Sequence, residues 1–133
     1  MVLSPNITIL KEVEIPEAFI RLRSDGILHV HYKRDTTLDV ELQVRMRSIF
    51  NEMTGGVKSN FIFSAAEGFA LTKEARENST VLNVNSPILA YAVIANNLAY
   101  RIIANFYLKV NKPEVPYKLF QTIEEAVKWL YTQ

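Results

Sequence analysis

Cysteine is absent from the 133 residues, which excludes disulfide frameworks, thiolate metal sites and cysteine nucleophiles. Imidazole is scarce, since His29 and His31 are the whole supply. An excess of charge of either sign is also missing: 15 Lys and Arg stand against 14 Asp and Glu, a formal net charge of +1. With no block of five like charges, the electrostatic footprint of a dedicated nucleic-acid binder is lacking. Glycine is limited to four residues, none of them in a phosphate cradle. Long apolar runs are missing too. The longest, 88–95, falls far short of the roughly 18 residues of a membrane span. The opening MVLSPNITILKEVEIPEAF has neither the basic start nor the small-residue cleavage site of a signal peptide, which predicts a cytoplasmic protein.

What is present is an ordinary globular composition, 49% hydrophobic and 22% charged, with room for one domain. Apolar residues alternate with period two on both sides of Asp25-Gly26 in the stretch 19–32, a hairpin signal. A two-residue loop would set Leu22 opposite His29 and mix the faces. A three-residue loop, Ser24-Asp25-Gly26, pairs Leu22 with Leu28 and Ile20 with Val30 instead, with Gly26 left-handed. That register sends Arg21, Arg23, His29 and His31 to the opposite face. Residues 1–18 read as an N-terminal extension, of which Val13 and Ile15 are candidates to lengthen the first strand region.

From Asp39 the period becomes helical, with Leu42, Met46, Ile49 and Met53 on one stripe, Asp39 or Thr37 as cap and Gly55-Gly56 as the stop. Phe61-Ile62-Phe63 reads as a strand. A second helix, starting after Thr72, is weakened by Asn78, Ser79 and Thr80. The apolar run 88–95 predicts a parallel strand at the sheet centre. Asn96-Asn97 caps a third helix with a core stripe of Leu98, Ile102, Phe106 and Val110, ending at Asn111-Lys112-Pro113. Strand 117–120 and a last helix follow, the latter with Thr122 and Glu125 in capping-box spacing and Ile123, Ala126, Val127 and Leu130 on its inner face. The order β-β-α-β-α-β-α-β-α implies a single α/β domain over 19–133, an opening hairpin and then a largely parallel sheet with crossover helices.

That order, together with FIFSAAEG, LTKEAR, ILAYAVIAN and YKLFQTIEEAVKWL, resembles the STAS group of domains, which includes the bacterial anti-sigma-factor antagonists. The last third is similar to uncharacterised bacterial members. In the antagonists an Asp-Ser-Ser-Gly motif at the start of the second helix carries a phosphorylated Ser that controls binding to a kinase-like partner. Here the matching stretch is Leu71-Thr72-Lys73-Glu74, so the motif is absent and Thr72 alone retains a hydroxyl.

Thr72 therefore has two readings, a helix cap or a phosphosite and partner contact. Ligands of open parallel sheets bind beyond the carboxyl ends of the strands, which points to Ser64, Glu67, Asn96 and Asn97 as a ligand or interaction loop. The plainer alternative is a solvated Glu67 and a capping Asn pair. His29 and His31 lie on one strand face, but two ligands do not close a metal site, so an exposed polar face is expected and no metal. Ser64 lies in Ser-Ala-Ala-Glu-Gly rather than a nucleophile motif, so no catalytic residue is assigned. The expected function is a non-enzymatic STAS-like protein-interaction or regulatory module without a cofactor. It would have an unidentified protein partner or a second copy of itself, no nucleic acid and no membrane span. The alternative is a small-molecule or lipid-binding domain with its pocket near Phe69, Tyr91, Tyr100 and Phe106.

Overall fold

A hairpin opens the domain because Gly26 can take φ 84°. In this computed structural model, which describes residues 6–110 and 113–133, β2 (Ala18–Arg23) and β3 (Leu28–Tyr32) pair Leu22 with Leu28 and Ile20 with Val30. The Arg23 amide donates to the Ile27 carbonyl at 2.9 Å, which closes the three-residue loop expected from the alternation. β1 (Ile9–Ile15), inside the segment read as an extension, pairs antiparallel with β2, and its Val13 and Ile15 pack against the core.

β5 (Ser59–Ala65), β7 (Ile88–Ile94) and β8 (Tyr117–Phe120) add to β3 in parallel, giving a six-stranded sheet in the order β1-β2-β3-β5-β7-β8. The expected α/β class and largely parallel sheet are present. β7 is internal, flanked by β5 and β8, but the sheet centre is β3 and β5. An all-apolar run reports cover on two faces, not position in the strand order. Two further strands, β4 (Thr37–Leu38) and β6 (Ala70–Leu71), form a separate parallel pair too short to show a period.

The sheet is covered on both faces. Helix α1 (Val40–Thr54), capped by Asp39 and stopped by left-handed Gly55, lays Leu42, Met46, Phe50 and Met53 on a face built from Ile20, Leu28, Val30 and Phe61. Helix α4 (Ile123–Leu130), capped by Thr122, sets Ala126 and Leu130 on Ile62, Ala90 and Ala92 of the other face. The alanines of β7 carry little side-chain bulk, which lets this helix lie close.

Helix α2 (Lys73–Leu82) runs through Asn78 and Ser79 despite their low helix propensity, because α1 holds it from the side. Gln43 donates to the Ala75 carbonyl at 2.9 Å and accepts from the Asn78 amide at 3.0 Å. Helix α3 (Leu98–Val110) departs from expectation. Leu98, Ile102 and Phe106, read as a core stripe, are 70%, 60% and 61% exposed, whereas Leu108 is buried. The period predicts a helix with one apolar face; it does not supply a surface for that face to cover. The side chain of Val110 and the expected stop at Asn111-Lys112 lie outside the described residues.

Candidate functional site

The uncovered helix roofs a groove of about 580 Å³. Its floor is the α1 face of the sheet, where Phe63 of β5 and Tyr91 of β7 pack edge to face at 5.7 Å. Met46 and Phe50 of α1 and Leu82 of α2 form one wall, and Ile103, Ala104 and Leu108 of α3 form the other. Phe69, Tyr91, Tyr100 and Phe106 all line it. The volume lies within the roughly 300–1,000 Å³ of small-molecule sites, and the lining is predominantly apolar.

The loops that follow β5 and β7 meet at one end of this groove. The Gly68 amide donates to the Tyr100 hydroxyl at 3.1 Å, joining the loop after β5 to the first turn of α3. Glu67 is mostly exposed and ion-paired with Arg34 at 2.8 Å, so its carboxylate already has a partner. Asn97 accepts from the Tyr100 amide at 2.8 Å and caps α3, and Asn96 is exposed beside it. Thr72 caps α2, its hydroxyl accepting from the Ala75 amide at 3.1 Å.

Ser64 borders the groove too, but its hydroxyl is turned to the opposite side of the sheet, toward the histidines of β3. Parallel pairing of β3 with β5 sets His31 beside Ser64 and His29 beside Ile62. The Ser64 hydroxyl lies 2.8 Å from Nε2 of His29 and 2.8 Å from Nδ1 of His31. With one hydrogen to give, it donates to one imidazole at most and accepts from the other. The expected exposed strand face is therefore corrected: His29 is 4% exposed and Arg23 3% exposed. Burial, reinforced by the charges of His31, Arg21 and Arg23, lowers the His29 pKa to about 4. Burial and Arg21 lower His31 as well. Both rings are neutral near pH 7. Sequence reasoning missed this cluster since period two puts the histidines on one face but cannot name the neighbouring strand.

Asp25 closes the same side of the molecule. It accepts two hydrogen bonds from the Arg23 guanidinium, at 3.1 and 2.8 Å, and one from the Tyr131 hydroxyl at 2.7 Å. Burial pushes its carboxyl up, but the bonds from Arg23 and Tyr131 outweigh that and hold it below the ordinary value.

Residues 20–133 match the model of a family described as a domain of unknown function, DUF7793, so β1 precedes the matched region. No curated protein matches. An uncharacterised protein of the DUF3478 family with a SpoIIAA-like fold, from Shewanella loihica PV-4, aligns over 97% of this chain and 99% of its own. Its TM-score is 0.55 at 14% identity, a likeness of fold. A protein with unknown function from Arthrobacter sp. FB24 aligns over 86% of this chain and 99% of its own, at 20% identity and a TM-score of 0.32.

Proposed function

The chain belongs to the DUF7793 family, and for this member we propose a non-enzymatic STAS-like regulatory module that takes an apolar ligand into the groove beneath α3. One observation carries this reading. A groove of about 580 Å³ with an apolar floor is roofed by a helix whose Leu98, Ile102, Ile103 and Phe106 are each at least 60% exposed. A ligand in the groove would give α3 an apolar surface to close on, and each buried methylene is worth about 0.8 kcal/mol. Closure moves α3 relative to the sheet, which is how occupancy would be reported to a partner.

The test is native mass spectrometry of protein purified from its own host, beside an Ala104→Trp variant in which the indole fills the groove from α3. A reproducible non-covalent mass on the wild type and none on the variant is the expected result. A bare wild type, unchanged in melting temperature by any apolar probe, would reject the reading.

A switch at Thr72 is the second reading, favoured by its place at the N-terminus of α2, where the helix dipole stabilises a phosphate. The same spectrum decides it through a phosphate increment on Thr72.

A further inference from the structure

We infer that the ligand of the groove carries an anionic head, as a long-chain fatty acid does, and that Arg76 and Arg47 receive it. The inference rests on the groove reading above and adds its chemistry. Among the described residues, two cationic side chains line the groove, Arg47 of α1 and Arg76 of α2, and no Asp or Glu does. Of the five arginines outside the groove, Arg21, Arg23, Arg34 and Arg45 each face a carboxylate within 3.0 Å, and only Arg101 has no ion pair among the described residues. Arg47 and Arg76 have no acidic partner among the described residues.

The two are held differently. Arg47 donates through Nη1 to the Leu82 carbonyl and through Nη2 to the Val84 carbonyl at 2.9 Å, while its buried Nε has no hydrogen-bond partner. Carbonyl dipoles offset a guanidinium charge only in part, so this end of the groove remains positive. Arg76 of α2 makes no side-chain hydrogen bond among the described residues and is free to pair. A carboxylate matches its planar fork with two parallel bonds. The aliphatic tail then runs over Phe63 and Tyr91 toward Tyr100, beneath α3. A neutral apolar ligand would fill the same volume and leave both charges uncompensated.

The experiment is calorimetric titration of palmitic acid and of hexadecanol, which share a chain and differ in head charge, into wild type, Arg76→Met and Arg47→Met. Wild type is expected to prefer the acid by about tenfold or more. Arg76→Met should remove most of that preference and leave hexadecanol binding within about twofold. Arg47→Met tests the same point from α1. Because it also breaks the tie to α2, it is interpreted only alongside a native circular-dichroism spectrum, and Arg76→Met carries the test if that spectrum is lost. Equal binding of acid and alcohol by wild type, or a preference that survives Arg76→Met, overturns the inference and leaves the groove reading standing. Binding of neither overturns both.

Discussion

The Ser64 hydroxyl lies 2.8 Å from Nε2 of His29, a bond made across two parallel strands by residues 35 apart in the chain. Burial drops the His29 pKa from 6.5 to about 4, so the folded protein refuses a proton that the unfolded chain accepts near 6.5. The unfolded state therefore binds more protons throughout that interval. Stability is full above pH 6.5, falls as the pH drops toward 4 and levels below it. At about 1.4 kcal/mol per pKa unit the loss is on the order of 3 kcal/mol. His31 shifts in the same direction, whereas Asp25 and Glu17, held below their ordinary values, lose their contributions at more acid pH. Urea unfolding at pH 7 and pH 5 should show about 2 kcal/mol of this loss in wild type and a flatter profile in His29→Gln. Parallel profiles would refute it.

Asp25 is the counter-charge of a guanidinium that is almost wholly buried. Removing it leaves Arg23 unpaired, so Asp25→Ala should cost about 3 kcal/mol or more. Tyr131→Phe removes one bond from a largely exposed ring and should cost about 1 kcal/mol or less. Chemical denaturation of both variants checks the order. Equal costs would show that Arg23 does not depend on this carboxylate.

Thr72 supplies its oxygen to the Ala75 amide. Thr72→Ala should cost about 1 kcal/mol, and Thr72→Asp should retain wild-type stability, since a carboxylate both caps and suits the helix dipole. Melting curves decide the structural role. Loss of a partner from a stable Thr72→Asp protein in a pull-down would be the mark of a switch.

Gly68 combines a φ of +85° with a tight neighbour: an added Cβ would lie 2.0 Å from Oδ1 of Asp35. Gly68→Ala should destabilise by about 1–3 kcal/mol. Adding Asp35→Ala should recover the steric share and leave the backbone share. Because the Gly68 amide bonds Tyr100, the variant should also speed hydrogen exchange at the start of α3. A Gly68→Ala melt within a degree of wild type, estimated against the usual several degrees per kcal/mol, would contradict this.

The parts of the fold legible in the residues are those decided by near neighbours. Asp25-Gly26 with the flanking alternation sets the hairpin register, Asp39 and Gly55 bound α1, and Thr122 starts α4. β4 and β6, two residues each, are illegible because pairing through space, not propensity, makes them strands. α2 extends past its own poor formers with Gln43 and Arg47 reaching it from α1.

The sequence by itself determined the α/β class and the register and faces of the opening hairpin, since these follow from period and order along the chain. Only the tertiary structure decided that β3 lies beside β5, which brings Ser64 to the histidines, and that the apolar stripe of α3 is left uncovered. The reason is physical: local period fixes which way a side chain faces, but what it meets there depends on strand order and packing between segments far apart in the chain.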